Sequence, residues 1–173
     1  VAGSNQIPHI VDTILVGDAD KDSPLKFLRS RKNRYGRTGV TAVFVHSDTG
    51  LHSVSDPSQY LLGDTTIQAL PGAATSLVSD GGRLLPVEVN ALVVPAEYNA
   101  AQRHITGVNT QRGRILVARV MATFDDLKLN SKDVYVNTSH SIRVSDTMVD
   151  LAQAAAIISS SENTAICVPT VYC

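Results

Sequence analysis

The residues of this chain best suited to chemistry are Lys32-Asn33-Arg34-Tyr35-Gly36, near the end of a basic run. Six of the fifteen Lys and Arg residues, Lys26, Arg29, Arg31, Lys32, Arg34 and Arg37, fall in this one stretch with no acidic residue among them, in a chain of formal net charge -1. Such a local concentration in an otherwise balanced protein suits phosphate, whether on a nucleotide or on nucleic acid. Arginine fits the task because its planar fork donates to two oxygens at once and never loses its charge. The competing reading is a solvated charged turn, the fate of most basic runs on protein surfaces.

A second basic cluster, Arg103, His104, Arg112 and Arg114, surrounds Thr106-Gly107-Val108-Asn109. If the loop before the next helix gathers these side chains, they make a shallow positive surface that contacts duplex phosphates without reading sequence. Pairing with Asp125, Asp126 or a neighbouring subunit is the structural alternative. Aromatic content is 5% with no Trp, which argues against base-stacking platforms for single strands.

Other chemistries find less support. The five histidines, His9, His46, His52, His104 and His140, are scattered without metal-ligand spacing, so no metal site is expected. Cys167 and Cys173 lie together near the end of the sequence and suit neither a disulfide framework nor a four-ligand zinc site. No Gly-x-x-x-x-Gly-Lys-Ser/Thr occurs, so no phosphate-cradling loop is encoded in these 173 residues. Nor does any apolar run approach the roughly 18 residues that span a bilayer. A hydrophobic content of 43% supports a real core, and a globular, cytoplasmic protein is expected.

The elements that must position these residues are set by patterning. His9 to Val16, Leu25 to Ser30, Thr41 to His46 and Leu51 to Val54 are short, rich in Val, Ile, Leu and Phe, and bounded by turn residues, so they read as successive strands. Asp48-Thr49-Gly50 is a hairpin signal. From Ser55 to Ala69 the chain is polar and turn-prone, which marks a domain junction. Beyond it, Ala74 to Val78 and Leu84 to Val94 flank Asp80-Gly81-Gly82 as a second hairpin, with Val87, Val89 and Ala91 alternating against Glu88 and Asn90. Ile115, Leu116, Val120, Met121, Phe124 and Leu127 recur at helical spacing over Arg112 to Leu127. Asp133 to Asn137 reads as a strand. Thr147 to Ile158 reads as a helix with Met148, Leu151, Ala152, Ala155 and Ile158 on one side and Ser145 or Asp146 as its cap. Hairpins with packed helices make the second unit α+β.

Lys32-Asn33-Arg34-Tyr35-Gly36 resembles the Lys-Asn-Arg-aromatic-Gly signature of the bacterial RadA (Sms) recombination proteins, relatives of RecA and of DnaB-type helicases. His9-Ile10-Val11-Asp12-Thr13-Ile14-Leu15 resembles the family's strand before the motif. Val43-Phe44, Asp56-Pro57-Ser58 and Gly63 resemble the family's segment after the motif, and Leu85 to Val93, Thr106-Gly107-Val108 and Asp133 to Asn137 are similar to its Lon-protease-like domain. The resemblance implies an α/β and α+β chain. Residues 1–55 would be the C-terminal strands of a RecA-like ATPase core, 56–70 a linker, and 71–173 a Lon-protease-like domain truncated at its C-terminus. A preceding four-cysteine zinc motif and a nucleotide-binding half would complete it.

The implied function is DNA repair and homologous recombination by an ATP- and Mg2+-dependent branch-migration motor. Such a motor acts on single-stranded and branched DNA as a hexameric ring beside a RecA-type recombinase. Lys32 and Arg34 would act in trans on the neighbouring subunit's ATP, with Tyr35 anchoring their loop by packing and Gly36 allowing a sharp turn. Arg29, Arg31, Arg37, Arg103 and Arg112 would face DNA, although for the first three a solvent-facing role is equally compatible with strand alternation. Two rivals stand beside this: a non-enzymatic oligomerisation and DNA-binding module, and a Lon-type serine protease. Lon-type peptidases place their serine where the matching segment, Arg143 to Asp150, holds Met148. A thioether cannot be that nucleophile.

Overall fold

In the computed structural model, the described residues are 7–19, 24–62, 70–80, 83–97, 100–138, 144, 147–166 and 171. They fall into two compact units, one from Val1–Tyr60 with Ser79–Leu85 and one from Leu61–Val78 with Pro86–Cys173. Two four-stranded sheets and several helices make the chain a mixed α/β and α+β protein, as its patterning requires.

The first sheet is an antiparallel meander of β1 (Thr13–Ala19), β2 (Leu25–Asn33), β3 (Thr41–Ser47) and β4 (Gly50–Ser53), in that spatial order. Pairing Leu25 with Val45 and Phe27 with Val43 puts apolar side chains together on one face, and Leu25 and Val43 are buried there. The β3–β4 turn is Asp48-Thr49, with Gly50 at φ 115°, a conformation that L side chains rarely adopt. Two expectations change. Ile7–Ile10 form a short helix, α1, so His9 and Ile10, expected as the start of a strand, are helical, with Pro8 tolerated in the first turn. Strand β2 runs three residues past Ser30, because pairing of Thr13 with Asn33 and Ile14 with Lys32 holds Arg31 to Asn33 extended. The register steps from Leu15↔Ser30 to Ile14↔Lys32, so Arg31 is the extra residue of a β-bulge.

Within the stretch expected as a linker, Ser58–Leu62 form a short helix, α2, opened by Asp56 Oδ1 accepting from Ser58 N–H at 2.9 Å. Gly63 to Ala69 lie outside the described residues.

The second sheet has the order β5 (Ala73–Asp80), β6 (Arg83–Pro95), β8 (Lys132–Thr138), β7 (Arg103–Ile105). Strands β6 and β8 are antiparallel, whereas β7 and β8 are parallel and joined through α3 (Thr110–Thr123). Val87, Val89, Val134 and Val136 alternate inward with 0–2% exposure, each contributing about 1.5–3 kcal/mol through burial. Leu92, Tyr135 and His104 occupy one cross-strand row on the other face, with the His104 and Tyr135 rings stacked at 5.1 Å.

Both helices of this unit bury the expected faces only in part, Val120, Leu127 and Ala152 being buried as expected. Helix α3 buries Gly113, Val117 and Val120 and leaves Ile115 61% exposed, with Phe124 at its C-cap 46% exposed. Gly113 decides this: a Cβ there would meet Ile105 Cγ2 at 2.9 Å, so the helix approaches β7 along the side that has no side chain. It ends at Thr123, and Leu127 is buried from a following 3-10 turn. Helix α4 (Val149–Ser161) buries Val149, Ala152, Gln153, Ala156, Ile157 and Ser159, while Leu151 is 53% exposed. Small Ala152 and Ala156 permit a close approach that Leu151 would prevent. Met148 stands at its N-cap and makes no side-chain capping hydrogen bond, and the expected caps Ser145 and Asp146 lie outside the described residues.

Candidate functional site

The β1–β2 pairing builds the site. Thr13 faces Asn33, so one step beyond each strand Asp12 meets Arg34, and the ladder continues as Arg34 N–H donates to the Asp12 carbonyl at 3.0 Å. The Asp12 carboxylate then collects two side chains. Its Oδ1 accepts from Arg34 Nη1 at 3.0 Å, and its Oδ2 accepts from the Tyr35 hydroxyl at 3.2 Å. Asn33 Oδ1 accepts from Tyr35 N–H at 3.1 Å, bending the chain just after the strand. Tyr35 therefore does not anchor the loop by packing: the residue is 83% exposed and is held by its phenol. Nor does Gly36 need a glycine's conformation. The positive-φ residue of this connection is Gly39, whose N–H donates to the Ser30 carbonyl at 2.7 Å.

Lys32 and Arg34 are used differently. Lys32 Nζ donates to the Val11 carbonyl at 2.7 Å and to the Pro8 carbonyl, so two of its three donors go to backbone at the end of α1. Arg34 commits one nitrogen to Asp12, and the rest of its fork makes no hydrogen bond among the described residues. With side chains 58% and 45% exposed, the Arg34–Asp12 pair contributes only about 0–1 kcal/mol to stability. What it supplies is direction: an exposed guanidinium aimed by a carboxylate on one edge and open on the other. Arg29, Arg31 and Arg37 of the same basic run are exposed, with Arg31 at the bulge and Arg29 engaged in a contact of its own.

In the second basic cluster, Arg103 and Arg112 are engaged by acceptors within their own unit. Arg103 Nη1 donates to the carbonyls of Gln102 at 2.8 Å and Lys132 at 2.6 Å, and its Nη2 donates to that of Leu129 at 2.5 Å. Burial lowers the pKa of this guanidinium and the nearby Asp133 charge raises it, with burial the larger effect. Arg112 pairs with Asp150 in the first turn of α4, Nη2 to Oδ2 at 2.6 Å with Nε donating to both carboxylate oxygens, rather than with Asp125 or Asp126. Arg114 is exposed on α3, and His104 shares a hydrogen bond with Gln102 at 2.7 Å.

Asp12 and Asp150 are the partners that a scan for basic residues passes over. Asp12 becomes visible only once β1 and β2 are paired, whereas nothing local links Arg112 to Asp150, 38 residues away. Among the described residues no group of three or more His, Cys, Asp and Glu is placed to hold a metal, and no helix is long and apolar enough to cross a membrane. Met148, which the resemblance sets at the place of a Lon-type nucleophile, accepts at its carbonyl from Ser76 Oγ at 3.0 Å.

No protein-family model matches the chain. Individual proteins do. The DNA repair protein RadA of Brucella abortus is 34% identical over 99% of this chain and 36% of its own length. That of Campylobacter jejuni is 36% identical over 94% of the chain and 35% of its own length. That of Treponema pallidum is 31% identical over 96% and 36%. The chain thus spans about a third of the length of the curated relatives it matches. Identity at this level, sustained across nearly every residue and repeated in distant bacteria, places the chain in the RadA family, to which it corresponds as one segment.

Proposed function

We propose that this chain is the segment of a RadA-type DNA repair and recombination motor that presents Arg34, with Lys32 beside it, to phosphate on a neighbouring subunit. The observation that carries this reading is the Arg34 guanidinium, held by Asp12 on one edge and open on the other. A fixed, always-charged fork of that kind matches what phosphoryl transfer needs, a cation at the oxygens where charge accumulates. ATP with Mg2+ would supply the phosphoryl group, and residues outside this chain would cradle it. Here Arg34 binds the terminal phosphate oxygens. Lys32, with one donor unused among the described residues, adds positive charge and holds α1 against the strand end. The motor works as a ring, proposed to be hexameric, that drives branch migration on single-stranded and branched DNA alongside a RecA-type recombinase. The fold names RecA-like core for the first unit and Lon-protease-like scaffold for the second belong to the same proposal.

In a RadA-type motor containing this chain, Arg34→Ala lowers DNA-stimulated ATP turnover by about 10³-fold or more while nucleotide binding is retained. Turnover that survives this change refutes the assignment. Exposed Arg31 and Arg37 near Arg34 favour one second reading, a phosphate-gripping DNA module without turnover. It predicts duplex binding that weakens steeply with salt and ignores nucleotide.

A further inference from the structure

We propose that Asp12 is the positioning residue for Arg34, fixing the guanidinium in the orientation from which it reaches phosphate; this rests on the proposed role of Arg34 as the phosphate-facing cation. Asp12 engages the Lys32 to Tyr35 stretch at three points. Its carbonyl accepts from Arg34 N–H at 3.0 Å, its Oδ1 from Arg34 Nη1 at 3.0 Å, and its Oδ2 from the Tyr35 hydroxyl at 3.2 Å. Neighbouring Val11 adds a further tie through its carbonyl to Lys32 Nζ at 2.7 Å. A carboxylate that takes one guanidinium nitrogen and one phenol has a defined plane, and the Tyr35 bond prevents it from rotating away with the arginine. The half-exposed pair is too open to matter as a structural tie, so its consequence is orientation. A long side chain otherwise free to sample many rotamers is thereby held ready before phosphate arrives, which removes an entropic cost from the reactive geometry. Tyr35, 83% exposed, is explained by the same arrangement: its hydroxyl steadies the carboxylate and its ring needs no pocket.

The test is a mutant cycle in a RadA-type motor containing this chain, read as steady-state and single-turnover ATP hydrolysis on DNA. Asp12→Ala is expected to lower kcat by up to roughly fivefold, the most that so exposed a pair can bias an orientation, with KM for ATP unchanged. Tyr35→Phe, which leaves backbone and carboxylate in place, is expected to lower it by roughly two- to threefold. In single turnover, Asp12→Ala added to Arg34→Ala costs less than about twofold more, because a residue that acts through Arg34 has nothing left to position. Equal further loss in the Arg34→Ala background makes Asp12 a general structural residue and overturns the proposal. Wild-type kcat in both Asp12→Ala and Tyr35→Phe, with Arg34→Ala inactive, overturns it while leaving the role of Arg34 standing. Full turnover in Arg34→Ala removes the parent reading instead. Where Asp12→Ala does not fold, Tyr35→Phe alone decides, since it keeps every backbone bond.

Discussion

Replacing Arg103 by Met separates the two roles open to that side chain. The guanidinium donates to the carbonyls of Leu129 and Lys132 in part-buried surroundings and to that of Gln102 near solvent. A hydrogen bond to a charged group contributes about 1.5–3 kcal/mol, and partial exposure favours the lower end. Two such bonds therefore amount to about 3 kcal/mol, and the exposed third adds little. Methionine keeps the apolar stem but donates to none of the three carbonyls, so a loss of about 2–3 kcal/mol is expected, softened where water reaches the freed oxygens. Lysine keeps the charge on a single point donor and recovers less than half. Because the chain lacks Trp, amide exchange is the better readout. The Val134 N–H, which donates to the Gln102 carbonyl at 3.0 Å from a residue with 0% exposure, exchanges through opening of this unit. Its exchange should quicken by roughly 30- to 160-fold in Arg103→Met. Unchanged exchange, together with a loss of about one from the salt slope of duplex binding, would refute this role and make Arg103 a phosphate contact.

Two further outcomes concern packing. Gly72→Ala should destabilise the second unit by about 2–5 kcal/mol, combining a left-handed penalty with a broken backbone bond. Gly72 sits at φ 88°, a Cβ there would meet the Ala91 carbonyl oxygen at 2.2 Å, and that approach carries the Ala91 N–H to Gly72 O bond of 2.7 Å. Amide exchange at Ala91 checks it, with Gly17→Ala, which meets nothing within 4 Å, as the tolerated control. On α4, Ile157→Ala should cost about 2–5 kcal/mol in a thermal or urea unfolding experiment, and Leu151→Ala less than about 0.5 kcal/mol. The order reverses if the helix buries Leu151 rather than the wholly buried Ile157.

Much of this protein is legible along the chain because it depends on neighbours in sequence. Strand alternation at Val87, Val89 and Ala91 and the Asp48-Thr49 turn are local consequences of side-chain size and backbone freedom, and each appears where patterning puts it. The concentration of cations from Lys26 to Arg37 is likewise a property of composition. Helix faces are less legible: α3 and α4 are apolar over a broad arc, so periodicity leaves several orientations open. Gly113 against Ile105, and the small Ala152 and Ala156, select among them by permitting close approach.

Residue order alone specifies the mixed α/β and α+β character, the strand succession and the segment that carries the candidate chemistry. Tertiary structure decided what each cation does, because a guanidinium's role depends on which acceptors the fold brings within about 3 Å, and those acceptors are distant in sequence. Arg103 is drawn onto three carbonyls, Arg112 onto Asp150, and Lys32 onto the end of α1. Only the register that sets Thr13 opposite Asn33 leaves Arg34 beside Asp12 with one edge of its fork open.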